Sequence, residues 1–118
     1  MRILILAALL ISAASLVLAQ EQAPAGKPER GYQLYMKVQC YTCHGTVGHG
    51  GDRGTGPAIA PDPLPYEAYE SELRTPRQTM PAYRKEFLSD QDLADIYAYL
   101  RSIKSQPEAK DIPLLKFD

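Results

Sequence analysis

Cys40-Tyr41-Thr42-Cys43-His44 sets two cysteines two residues apart, with a histidine directly after the second. This is the spacing of covalent haem attachment. Each thiol can add across one vinyl group of a haem, giving two thioether bonds. The two intervening residues let both sulfurs reach one porphyrin edge from a single helical turn. His44 then lies under the ring, where an imidazole nitrogen can bind the iron. Cys40 and Cys43 are the only cysteines in the chain, so the motif leaves no thiol for a disulfide.

Upstream, helical signal runs from Glu29 to about Cys43, with Tyr32, Tyr35, Met36 and Gln39 at helical spacing. Gly31 stands among them. A glycine there costs roughly 1 kcal/mol relative to alanine, so it points either to close approach by another element or to fraying at a helix start. The segment Gln20 to Pro28, rich in Ala, Pro, Gly and charge, reads as a flexible lead.

Downstream, Gly45 to Gly56 holds six of the eight glycines and reads as a loop. A phosphate-binding loop would need a lysine, a preceding strand and a different spacing. Asp62-Pro63-Leu64-Pro65 reads as a turn with helix-start chemistry, followed by a short helix over Tyr66 to Arg74 that Pro76 stops. Residues 75–87 are irregular. Ser89-Asp90-Gln91-Asp92 resembles a capping box with Asp in place of Glu or Gln. It opens a helix over Asp90 to Lys104, with Leu93, Ile96, Tyr97, Leu100 and Ile103 on one face, closed by Pro107. The tail, 105–118, contains Ile112-Pro113-Leu114-Leu115, which is too short and proline-broken for a helix, and it is expected to lie extended against the domain or a partner. No stretch alternates as a strand does, so the fold class is all-α.

Arg2 followed by the apolar run Ile3 to Leu18 reads as a secretory signal peptide over residues 1–19, cleaved near Ala19. The run is shorter than the roughly 20 residues a spanning helix needs. An uncleaved anchor is the alternative, and only then would a membrane be a partner. Haem attachment normally takes place outside the cytoplasm, so signal and motif agree on a periplasmic location. The remaining residues suffice for one small domain over 29–104. Without Arg2, the 13 basic residues become 12 against 14 acidic ones. That balance, with no basic stripe, gives no hint of nucleic acid.

A haem held only by His44 would be open on its other face. Met36 lies on the helix before the attachment site, and His49 is tethered only five residues past His44. Met80 lies 36 residues after His44, enough chain to travel round the haem edge, and Pro81 stiffens the backbone beyond it. A thioether ligand favours ferrous iron, raises the potential and fills the position that oxygen or peroxide would need.

With these pieces in place, the chain resembles a class I c-type cytochrome, the small monohaem type found in the bacterial periplasm. The resemblance covers Glu29 to Ile103 and follows the family's order: Gly31 and Tyr35; Cys40, Cys43 and His44; Thr55-Gly56-Pro57; Met80-Pro81-Ala82-Tyr83; then Leu93, Ile96, Tyr99 and Leu100. It implies three to five helices wrapped around one covalently attached haem c, with the first and last helices crossing at Gly31. It also implies Met80 as distal ligand and a hydrogen bond from the His44 ring to the Pro57 carbonyl. One departure is visible: five positions separate Tyr35 from Cys40 where many members have four, which a one-residue bulge would absorb. Arg53, Arg74, Arg77 and Tyr83 are possible donors to the haem propionates.

The resemblance implies an electron-transfer protein and not an enzyme. It would pass single electrons along a respiratory chain, either free or as the cytochrome subunit of a dehydrogenase. A periplasmic dehydrogenase would be the donor, and an oxidase or another cytochrome the acceptor. The competing reading is a haem enzyme or gas sensor with a labile sixth ligand.

Overall fold

Pro28 supplies the fixed φ that suits a first helical position, and Glu29 sets negative charge at the positive end of the helix dipole. From there α1 runs Pro28–Lys37 and buries Gly31 and Tyr35. The computed structural model describes residues 23–115. The expected signal segment and cleavage site therefore lie outside the described residues, as do the last three positions.

The expected helix to Cys43 is interrupted. Gln39 takes the left-handed conformation, φ 64°. The Gln39 N–H donates to Met36 O at 3.2 Å and the Cys40 N–H to Tyr35 O at 3.1 Å. This pair of bonds is the Schellman stop, normally built on glycine. The extra residue between Tyr35 and Cys40 is absorbed here. One further turn, α2 (Tyr41–His44), carries the attachment motif. A side chain in the left-handed region costs roughly 1–2 kcal/mol, and glycine returns some of that through the freer unfolded chain. Gln39→Gly is therefore expected to stabilise the protein by about 1 kcal/mol, seen as a higher thermal midpoint with haem content unchanged.

Two further helices complete the scaffold: α3 (Tyr66–Arg74) and α4 (Asp90–Ser102). Both halves of the capping box form, with Asp92 N–H donating to Ser89 Oγ at 3.2 Å and Ser89 N–H to Asp92 Oδ2 at 2.8 Å. The helix stops two residues short of Lys104. It buries more than a single stripe: Leu93, Ala94, Asp95, Ile96, Tyr97, Tyr99 and Leu100 are all covered. The reason is that α4 is flanked twice. The Tyr69 hydroxyl of α3 donates to Leu93 O on one side, and α1 crosses on the other. Among the described residues there is no strand, and no helix is long and apolar enough to cross a membrane.

The crossing decides the two readings of Gly31. A Cβ built there would sit 1.9 Å from Asp95 O and 2.8 Å from Tyr99 Cβ, so the helices touch backbone to backbone. The lead is held in the same way, which corrects the expectation of flexibility for its end. Gly26 packs on the Ala94 carbonyl, Lys27 N–H donates to Asp95 Oδ1 at 2.8 Å, and Gln91 Nε2 donates to Ala25 O at 3.0 Å. The tail, expected to lie extended against the domain or a partner, is not extended throughout. It makes two short 3-10 turns, Ala109–Asp111 and Pro113–Leu115, the first closed by Asp111 N–H to Glu108 O. Leu114 is 91 % exposed, while Gln106 at the start of the tail bonds His49.

Candidate haem site

The attachment turn is built by glycine packing from below. A Cβ at Gly51 would lie 2.0 Å from Cys43 O, and one at Gly56 would lie 2.5 Å from the same atom and 3.1 Å from His44 Nδ1. Only a chain without side chains at these points can fold back flush against the motif. Gly50 N–H donates to His44 O at 3.0 Å, and Gly51 N–H to Gly56 O at 3.0 Å. The core steadies the same loop: Tyr35 Oη donates to Gly45 O at 2.6 Å, and Tyr99 Oη to Thr46 O at 3.2 Å.

That folded loop delivers Pro57 to the histidine. His44 Nδ1 is 2.9 Å from Pro57 O. A carbonyl only accepts, so Nδ1 carries the proton and Nε2 keeps its lone pair. An imidazole held through one nitrogen, with the other free, is the arrangement that orients a metal-ligating histidine. Cys40 and Cys43 are both free thiols, the first half-buried and the second exposed. Burial pushes the Cys40 thiol up to about 11, against a smaller opposing effect from the Tyr83 hydroxyl.

The Met80 segment returns to the same neighbourhood. Tyr83 N–H donates to Leu73 O at 2.8 Å, and its hydroxyl reaches Val38 O at 3.4 Å, beside the attachment turn. Met80 is half-buried and packs, like Cys40 and Tyr83, against the cluster of Tyr35, Tyr69, Leu73 and the α4 residues. His49 turns elsewhere, its Nδ1 accepting from Gln106 Nε2 at 2.7 Å. Met36 packs on the core from α1.

Arg74 is not a free propionate donor. Its Nη1 donates to Tyr83 O and Leu88 O, and its Nη2 to Asp90 Oδ1, so it staples the two ends of the segment after Met80. Arg77 is paired with Glu72 at 2.7 Å, and Arg53 lies exposed 3.8 Å from Asp52. The residue that sequence reading missed is Asp95. It is buried, yet accepts from Lys27 N–H, Arg30 Nη1 and Gln91 Nε2. Its only signal is a carboxylate one position before Ile96, on the flank of an apolar face.

Two thiols, an anchored imidazole and a thioether fit a haem. They do not fit a bare ion: among the described residues no three His, Cys, Asp or Glu side chains group to hold one. Residues 26–100, more than half of the chain, match the family model described as cytochrome c oxidase, cbb3-type, subunit III. The chain belongs to this family. No curated protein and no solved structure matches it. The match runs from Gly26 to Leu100, so it takes in both glycines of the crossing, the attachment turn, Pro57 and Met80. This is a c-type cytochrome domain of class I, an all-helical electron-transfer protein that binds haem and exchanges electrons with redox partner proteins.

Proposed function

We propose that the chain carries single electrons in the periplasm through one haem c, joined by thioethers to Cys40 and Cys43, with iron between His44 and Met80. The observation that supports this most directly is the His44 Nδ1–Pro57 O hydrogen bond, which leaves Nε2 as the free donor directly after two free thiols. When bound, the haem supplies a one-electron couple. His44 holds its position through Pro57. Met80 would hold the iron as a second ligand, which would exclude small ligands and raise the potential. Arg74 fixes the segment after Met80 by binding the carbonyls of Tyr83 and Leu88. The family's description points to the setting of a terminal oxidase as electron acceptor. A periplasmic dehydrogenase or a second cytochrome is the donor, and the chain acts either as a mobile carrier or as a bound cytochrome subunit.

The ligand assignment is tested by Met80→Ala in the haem-loaded protein. The parent should show the weak far-red band of ferric thioether ligation and bind carbon monoxide poorly. The variant should lose the band, bind carbon monoxide and have a lower potential. A parent that lacks the band and takes up carbon monoxide readily would favour the labile-ligand reading. Sequencing of the mature N-terminus checks location: it should begin at Gln20 in a periplasmic fraction.

A further inference from the structure

Eight tyrosines, two phenylalanines and no tryptophan make up the aromatic residues of this chain. Six of the tyrosines form two triads of rings in contact. In the first, Tyr35 and Tyr99 have ring centroids 5.4 Å apart, and Tyr99 and Tyr32 are again 5.4 Å apart. Each spacing lies within the range of direct aromatic contact. The inner end is fixed beside the haem ligand, since the Tyr35 hydroxyl donates to the carbonyl of Gly45, the residue after His44. The outer end is in solvent: Tyr32 is 47 % exposed, and every other tyrosine is more buried.

We propose that Tyr35, Tyr99 and Tyr32 form a redox relay that draws damaging oxidising equivalents, delivered to the haem by a peroxide, out to Tyr32 at the surface. The inference rests on haem attachment at Cys40 and Cys43. Met80 ligation keeps peroxide off the iron, so the relay serves the protein when Met80 has left it. Electrons would move inward from Tyr32 through Tyr99 and Tyr35 toward the bound haem. The reason that oxidation ends at Tyr32 is proton release. A phenol that gives up an electron must also shed its proton to form a stable neutral radical. The Tyr35 and Tyr99 hydroxyls donate to the carbonyls of Gly45 and Thr46, which cannot keep a proton, and an isolated buried charge is costly. Tyr32 can pass its proton to water. Two Tyr32 radicals from two molecules then couple, so that two phenols and one hydrogen peroxide give one carbon–carbon-linked dityrosine and two waters.

The second triad is an internal control. The Tyr69 and Tyr97 rings are tilted with centroids 5.0 Å apart, and Tyr66 meets Tyr97 edge to face at 5.1 Å, but Tyr66 is only partly exposed. The test uses haem-loaded Met80→Ala protein, whose open iron admits peroxide. Equimolar hydrogen peroxide should give dityrosine fluorescence and a covalent dimer whose cross-linked peptides carry Tyr32. Adding Tyr99→Phe keeps the ring but removes the oxidisable hydroxyl. If this raises the barrier to the middle step by about 1.4 kcal/mol, the Tyr32 cross-link forms tenfold more slowly, while haem bleaching rises. Tyr97→Phe should change neither. An undiminished Tyr32 cross-link in the Tyr99→Phe protein overturns the relay, as does cross-linking through Tyr66. A protein whose haem is extracted by acidified organic solvent overturns the attachment reading itself, before any peroxide is added.

Discussion

Gly31→Ala is expected to destabilise the haem-loaded protein by about 4 kcal/mol or more, a fall of roughly 15 °C or more in thermal midpoint for a domain of this size. Two effects compete. Alanine is the better helix former by about 1 kcal/mol, so on an exposed helix the change would stabilise. Here the added Cβ lies 1.9 Å from the Asp95 carbonyl oxygen and 2.5 Å from its carbon. Overpacking in a core that can relax costs about 1–3 kcal/mol. Backbone cannot swing aside as a side chain does, so α1 and α4 must separate. Separation strips cover from Tyr35 and Tyr99, which are 0 % and 7 % exposed. It also pulls Lys27 and Arg30 from Asp95. The clash is already complete at Cβ, so Gly31→Leu should be only moderately worse than Gly31→Ala. Against a total stability of about 5–15 kcal/mol, either variant should accumulate poorly. Thermal unfolding of both decides the matter. An alanine variant as stable as the parent would mean that α1 and α4 are not in backbone contact at this point.

Much of this arrangement is readable in the sequence, and the exceptions share a cause. The attachment motif, the capping box at Ser89 and the Tyr66–Arg74 helix are local, and each depends on residues within a few positions of one another. Gly31 is readable as an anomaly, because a glycine at a helical position needs a reason. Gln39 is not: nothing in its side chain announces a left-handed residue, and the stop it makes depends on the loop beyond having to place Cys40 under the core. Arg74 has the chemistry of an anion donor, and only the path of residues 83–90 shows that carbonyls take its hydrogen bonds instead. The pattern on α4 shows one apolar face, whereas the helix is covered on two. Asp95 falls on the second, where a hydrophobic count gives no signal.

Asp95→Ala should cost roughly 3 kcal/mol, with a pH signature that a packing defect lacks. The carboxylate is 1 % exposed and receives the Lys27 N–H, the Arg30 guanidinium and the Gln91 amide. It thereby ties the start of α1 to the middle of α4. Truncation leaves the Lys27 N–H at the crossing without an acceptor. The ion pair itself contributes less than its geometry suggests, because the Arg30 side chain is 46 % exposed and is screened by solvent. Burial pushes the Asp95 carboxyl up, but the Lys27 N–H, Arg30 and Gln91 outweigh it and hold the group below the usual carboxylate range. A group depressed in the folded state contributes stability above its unfolded value, about pH 3.9 for Asp. That contribution is lost as pH falls through the lower folded value. Asp90 and Asp92 are depressed too, so the parent should be stable near neutrality and weaken steeply below about pH 4. The informative quantity is the difference between parent and variant. Denaturant unfolding of the haem-loaded proteins should show a gap that is constant near neutrality and narrows below about pH 4. Asp95→Asn, which keeps an acceptor but not the charge, should fall between the two. A gap that stays constant into acid would assign Asp95 a purely steric role, and a cost below about 1 kcal/mol would remove it from the crossing altogether.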